Sequence, residues 1–220
     1  NGAVYLTAQA KNSLSKAVVN HTGIIEANRL EKNAKGEIIL LGDMQHGTTT
    51  VSGILKAEGK NGQDGGFIET SAANVQIQDS TKVSTLSDSG KTGTWLIDPT
   101  DFTIRAGGGR WTTSSIGATT LQTNLATSSV ILQTSATNTG SEKGDINVNA
   151  AVTWTSPNSL TLSAHNDINI NANITATNGK LNLIYGTSTA NSYANTSNYY
   201  LNNGAKVNLK AGQNFSTQKG

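Results

Sequence analysis

The amino-acid sequence predicts an all-β protein, a β-solenoid in which short strands stack as successive coils of one shaft. The first observation is an internal repeat, because GDINVNA at 144–150 returns as NDININA at 166–172, 22 residues later. The second is that an apolar residue alternates with Asn in each copy, which is the period of a strand with one buried face. A strand that recurs every ~20–25 residues and is too small to bury its own core is typical of a solenoid.

The third observation is the composition. The 220 residues include 23 Gly but only 2 Pro, aromatic residues make up 5% and charged residues 14%, well below the usual quarter or so. Thr and Val favour strands, whereas Gly and Asn favour the turns between them. No segment has a convincing helical pattern, so we expect no helix.

A second repeat lies earlier in the chain. Residues 22–27 are echoed at 52–57, and 36–39 at 66–69, both 30 residues later. The longer spacing is explained if loops at 29–35 and 60–65 bulge from the shaft. Further strands of the same alternating type are expected at 17–19, 38–41, 75–78, 95–97, 102–104, 130–133, 160–163, 180–183 and 206–209. No linker composition interrupts the pattern, so we expect residues 1–220 to be one shaft segment, a fragment of a longer protein.

Charge and cysteine content narrow the function classes. The net charge is +2 and the charges are dispersed, which argues against a nucleic-acid partner. The chain has no Cys, and its three His residues are far apart, so we expect no cofactor and no metal site. Asp145 and Asp167 recur at the coil spacing and either cap turns, which is favoured, or hold a cation. The asparagines of the first repeat are interpreted as structural amide ladders rather than a ligand array.

Two stretches carry a resemblance to a known family. Residues 65–71 read GGFIETS, and residues 90–104 read GKTGTWLIDPTDFTI. This pattern resembles the large exoproteins of Gram-negative two-partner secretion, the filamentous-haemagglutinin-like family, and the segments at 144–154 and 212–217 are similar in style. The resemblance covers essentially the whole chain. It implies a right-handed parallel β-helix, downstream of a secretion domain, that is exported through an outer-membrane β-barrel transporter.

Candidate binding residues lie on two loops. Residues 186–204 form a polar segment rich in Ser, Asn and Tyr, the composition of a binding paratope. An extruded loop here would present Tyr193, Asn198, Tyr199, Tyr200, Asn202 and Asn203. A second loop at 107–115 carries Arg110 and Trp111, both expected to be exposed. The alternative for the first loop is a coil whose tyrosines pack on the shaft.

These observations favour a non-enzymatic binding protein, secreted or held at the surface of a Gram-negative bacterium. The resemblance implies a host protein or glycoprotein as partner, either haemopexin in haem acquisition or a cell-surface receptor in adhesion. Parallel β-helices also include polysaccharide-cleaving enzymes, for which Asp98 and Asp101 with Arg105 are the candidate residues. A third possibility is a passive spacer shaft that lifts a distal domain from the cell.

Overall fold

The protein is represented by a computed structural model that describes residues 2–9, 17–135, 142–188 and 196–220. Strands account for 45% of the structure and helix for only 4%, in parallel sheets, so the all-β prediction is confirmed. The elements of the described residues follow one another as β1 (Ala3–Thr7), β2 (Val18–His21), β3 (Ile24–Glu26), β4 (Glu37–Leu41), β5 (Thr48–Val51), β6 (Ile54–Lys56), β7 (Phe67–Ser71), β8 (Asn74–Ile77), β9 (Lys82–Ser84), β10 (Thr94–Asp98), β11 (Phe102–Arg105), β12 (Ser115–Gly117), α1 (Ala118–Leu125), β13 (Ser129–Gln133), β14 (Ile146–Val148), β15 (Val152–Trp154), β16 (Ser159–Ser163), β17 (Ile168–Ile170), β18 (Ile174–Ala176), β19 (Lys180–Tyr185), β20 (Tyr199–Leu201), β21 (Val207–Leu209) and β22 (Phe215–Lys219).

Successive strands of the chain join the sheets in a repeating order. Sheet one takes every third strand, in the order β1-β4-β7-β10-β13-β16-β19-β22. Sheet two has the order β2-β5-β8-β12-β11-β14-β17-β20, and the third position is shared by two short sheets, β3-β6-β9 and β15-β18-β21. Most units of the chain therefore contribute one strand to sheet one, then one to sheet two, then one to the third position; the unit that begins with β10 differs.

The register confirms both sequence repeats. Ile168 of β17 lies beside Ile146 of β14, at the 22-residue spacing, and Asn169 lies beside Asn147. At the 30-residue spacing, β4 pairs with β7 and β3 with β6, each without a shift. Equivalent residues of successive repeats are thus direct neighbours across a parallel ladder.

The core lies between the sheets and is built from aligned rows of apolar side chains. Alternation places every second residue inward, so that buried residues alternate with partly exposed ones in β10 and β16. One inward row of sheet one is fully buried along six strands: Ile38, Ile68, Trp95, Val130, Leu160 and Leu181. Removal of this apolar surface from water is the main force that holds units too small to fold alone.

Close stacking explains the glycines of the motif at 65–66 and 90–94. A Cβ on Gly66 would lie 1.9 Å from the carbonyl oxygen of Gly36, and one on Gly93 would lie 2.0 Å from that of Gly66. Only glycine permits backbones to approach this closely at the start of successive sheet-one strands.

The helix α1 contradicts the expectation of no helix. Its Ala118, Leu121 and Leu125 are buried, at spacings that place them on one helical face. It follows β12 and occupies the third position of its unit, between β9 and β15, to which its side chains hydrogen-bond. A helix of eight residues with no capping side chain draws its stability from this packing rather than from propensity.

The segment after β11 also departs from the repeat. The chain turns back so that β12 enters sheet two between β8 and β11. The loops at 29–35 and 60–65, which were expected to bulge, begin in stacked positions, because Arg29, Gly59 and Ser87 form successive parallel bridges. Within the described residues, the structure contains no helix long and apolar enough to cross a membrane.

Candidate partner-binding surface

The outward side of sheet two carries two columns of polar side chains on β11, β14, β17 and β20. In-register pairing aligns the first column. The second lies two residues further along the chain, at the end of β11 and directly after β14, β17 and β20. We call this surface the amide face; its residues are Thr103, Asn147, Asn169 and Tyr200 in the first column and Arg105, Asn149, Asn171 and Asn202 in the second. Because parallel strands lie about 4.8 Å apart, the face is about 14 Å long from β11 to β20.

Side-chain amides link the strands along both columns. Asn169 Nδ2 donates to Asn147 Oδ1 at 3.1 Å. In the second column Asn171 Nδ2 donates to Asn149 Oδ1 at 2.7 Å, and Asn202 Nδ2 donates to Asn171 Oδ1 at 2.9 Å. The predicted amide ladders are therefore present. An amide nitrogen has a second hydrogen and an amide oxygen a second lone pair, so each rung keeps hydrogen-bonding capacity for a ligand.

Larger side chains stand at the two ends of the amide face. Tyr200 closes one end and is 40% exposed. At the other end the Arg105 guanidinium lies 5.2 Å from the centre of the Trp111 ring, a cation–π contact. The arrangement places an aromatic hydroxyl and a guanidinium at opposite ends of a row of amides.

A ladder of aspartates fixes the start of the strands that form this face. Asp101 Oδ1 accepts hydrogen bonds from the amides of Gly144 and Asp145, at 2.7 and 2.8 Å. Asp145 Oδ1 accepts from the Asp167 amide at 3.1 Å, and Asp167 Oδ1 from the Asn198 amide at 2.8 Å. Burial, the largest influence, raises the pKa of Asp101. The turn-capping interpretation of Asp145 and Asp167 thus describes the contacts that they make.

Part of the predicted loop at 186–204 forms a strand. Tyr193 lies outside the described residues. Tyr199 and Tyr200 belong to β20 rather than to an extruded loop, and Tyr199 is half-buried with its ring 5.5 Å from that of Tyr185. Asn198 precedes the strand and Asn203 follows it in the left-handed region, with φ of 54°. Sheet pairing with β17 overrides the loop-like composition.

The second predicted loop also needs correction. Arg110 is exposed, as expected. Trp111 is only 9% exposed, because Gln78 holds its backbone in a pair of hydrogen bonds of 2.8 and 2.9 Å and Arg105 covers the ring. Arg105, rather than Trp111, therefore reaches the amide face. The outward position of Arg105 follows from the alternation of β11 and was available in the sequence.

The acidic residues considered for catalysis have separate partners. Asp98 Oδ2 accepts from Gln133 Nε2 at 3.2 Å, and burial raises the pKa of Asp98 to about 6. Asp101 caps the turn described above, and Arg105 packs on Trp111. Among the residues described, no three His, Cys, Asp or Glu side chains group in a way that would hold a metal ion.

Comparison with protein-family models, curated protein sequences and solved structures found no match.

Proposed function

We propose that this chain is part of a right-handed parallel β-helix in a filamentous-haemagglutinin-like exoprotein, and that it binds a host protein or glycoprotein without catalysis. The rotation of the chain through three sheet positions and the in-register ladders support the β-helix. The resemblance of residues 65–71 and 90–104 supports the family, with secretion through an outer-membrane β-barrel transporter to the outside of a Gram-negative cell.

The observation that carries the binding proposal is the amide face. Its donors and acceptors are fixed by the ladders of Asn147–Asn169 and Asn149–Asn171–Asn202, so little side-chain entropy is lost when a partner binds. Tyr200 and Arg105 add an exposed aromatic ring and a fixed cation, both side-chain types common at protein interfaces. Haemopexin, in haem acquisition, and a receptor glycoprotein, in adhesion, are the two partners we propose.

The test measures binding of purified haemopexin and of host-cell glycoproteins to the immobilised chain. We expect Tyr200→Ala and Asn171→Thr each to weaken the affinity for the true partner by at least about tenfold, which is about 1.4 kcal/mol. Asn182→Thr is the matched control, because Asn182 makes the same kind of ladder, with Thr161 at 3.1 Å, on sheet one. Equal affinity of all four proteins would contradict the assignment of the amide face.

A passive spacer is the second candidate, and the regularity of the units favours it. Residues 146–148 and 168–170 pair without a shift, so removal of residues 151–172 would excise one 22-residue repeat. If the shortened protein, confirmed as folded by circular dichroism, retained all binding to host cells, the spacer role would be favoured over the amide face.

A further inference from the structure

The outward side of sheet one is divided into two chemically different halves. The alternation of buried and partly exposed residues assigns the outward positions in β4, β10, β16 and β19. On β16 and β19 these positions are mostly polar, with Ile184 as an isolated apolar side chain. On the strands from β4 to β13 they carry five large apolar side chains, which we call the apolar strip: Ile39, Leu41, Phe67, Leu96 and Ile131.

Register places apolar side chains on both sides of Glu69. Ile39 lies beside Glu69, Glu69 beside Leu96, and Leu96 beside Ile131, so this row follows the stacking direction across four strands and is interrupted by one carboxylate. All five apolar side chains are partly exposed. The equivalent outward positions of β16 and β19 are mostly occupied by polar residues. Several partly exposed apolar side chains grouped around carboxylates on one face favour an interaction site there.

The carboxylates of Glu69 and Asp98 lie among the side chains of the apolar strip and repel each other. Glu69 accepts a hydrogen bond from the Ser71 hydroxyl at 2.7 Å, and Asp98 accepts from Gln133 at 3.2 Å. Glu69 is one of the causes, after burial, that raise the pKa of Asp98. Neither Glu69 nor Asp98 forms an ion pair with a Lys or Arg of the described residues.

We propose that the apolar strip docks a cationic amphipathic helix of a partner protein, whose Lys or Arg pairs with Glu69 and Asp98. This surface is separate from the amide face and does not depend on the function proposed for it. The partner's apolar side chains would pack on Ile39, Leu96 and Ile131, and its cation would relieve the repulsion between two carboxylates that share an apolar surrounding.

The dimensions of the strip fit a helix laid along the stacking direction. Four strands about 4.8 Å apart span about 14 Å. A helix covers that length in about ten residues, and its successive turns repeat every 5.4 Å or so, close to the strand spacing. Residues at i, i+4 and i+7 of the partner therefore meet successive strands of sheet one.

The charges favour this occupant over two others. A second copy of the chain, docked strip to strip, would bring Glu69 and Asp98 against another pair of carboxylates, which is unfavourable. A bilayer surface would leave both carboxylates unpaired against lipid, and anionic lipids would repel them. Glu37, at the margin of the strip, already has partners in Lys35 and the Tyr5 hydroxyl.

The experiment uses an 18-residue amphipathic helical peptide of Leu and Lys, and the same peptide with Glu in place of Lys. We expect the intact chain to bind the Lys peptide at least about tenfold more tightly than the Glu peptide. Leu96→Thr should abolish this binding, whereas Ile184→Thr, a matched change on the polar half, should leave it unchanged. The double variant Glu69→Gln, Asp98→Asn keeps the apolar strip and should lose the preference for the Lys peptide.

Several outcomes would overturn the proposal. One is equal binding of both peptides by the intact chain, and another is an undiminished Lys preference in the double variant. Leu96-dependent dimers in analytical ultracentrifugation would assign the strip to a second copy. Leu96-dependent binding to phosphatidylcholine vesicles, unchanged in the double variant, would assign it to a lipid surface. Circular dichroism of each variant excludes unfolding as the cause of lost binding.

Discussion

The repeating region, residues 142–185, and the irregular region, residues 98–128, complete the same sheets in different ways. In the repeating region backbone meets backbone, as when the Val152 amide donates to the Asn173 carbonyl at 3.0 Å. In the irregular region α1 takes the place of a strand, and its side chains bond the neighbouring backbone. Asn124 Oδ1 accepts from the Val83 amide at 2.7 Å and Asn124 Nδ2 donates to the Thr81 carbonyl at 3.1 Å.

This difference predicts how strongly a single substitution destabilises each region. A repeating unit distributes its hydrogen bonds over many equivalent residues, so that one side chain matters little. The irregular unit concentrates its hydrogen bonds in one side chain. Asn124, which is 1% exposed, bonds both the Val83 amide and the Thr81 carbonyl at the edge of β9. Buried backbone groups that lose their partner cost far more than exposed ones, so the two regions should respond differently to substitution.

The largest effect is expected at Asn124. Asn124→Ala removes partners from the Val83 amide and the Thr81 carbonyl and should lower the free energy of unfolding by about 2–4 kcal/mol. Urea denaturation measures the change. Gln122→Ala is the control on the same helix, because Gln122 accepts one exposed hydrogen bond, from the Thr153 amide, and should cost less than about 1 kcal/mol. Equal costs at both positions would refute the role given to Asn124.

The next effect concerns Asp98, at the start of the irregular region, and depends on pH. Burial raises the pKa of Asp98 from 3.8 to about 6, so the folded protein holds this proton more tightly than the unfolded chain does. The stabilisation is complete below about pH 4 and is lost as the pH rises through 6. Asp98→Asn should therefore raise the free energy of unfolding by about 1–3 kcal/mol at pH 7.5 and change it little at about pH 3.5.

Urea denaturation of the parent protein and of Asp98→Asn at these two pH values tests whether the substitution stabilises the fold only at the higher pH. Asp145→Ala provides the contrast from the repeating region, because Asp145 accepts from Asn166 Nδ2 at 2.7 Å and from the Asp167 amide at 3.1 Å. That variant should be less stable than the parent at pH 7.5, by about 1–2 kcal/mol. A loss of stability in Asp98→Asn at neutral pH would contradict the unfavourable burial of its charge.

The smallest effect is expected in the amide ladder. Asn171→Thr breaks the bonds to Asn149 and Asn202 but introduces a residue that suits strands, so the cost should stay under about 1 kcal/mol. Thermal denaturation followed by circular dichroism measures it. A loss of unfolding free energy as large as that of Asn124→Ala would contradict the view that the hydrogen bonds of the repeating region are distributed over many equivalent residues.

Much of the fold could be predicted because local patterns repeat. Alternation of apolar residues with Asn located β14 and β17, and the 22-residue spacing predicted their register. The site was predicted less well: Tyr199 and Tyr200 have a loop-like sequence context but pair with β17, and Trp111 is covered by Arg105. Both outcomes depend on neighbours that lie far away in the sequence, which composition does not report.

The sequence by itself determined the strand period, the 22- and 30-residue repeats and the amide ladders, since each follows from spacing along the chain. Only the tertiary structure decided the helix α1, the insertion of β12 between β8 and β11, and the burial of Asp98. The physical reason is the range of the interactions. Repeats reproduce the same contact at a fixed spacing, whereas Asn124 meets Val83 across 41 residues, a separation that neither repeat spacing predicts.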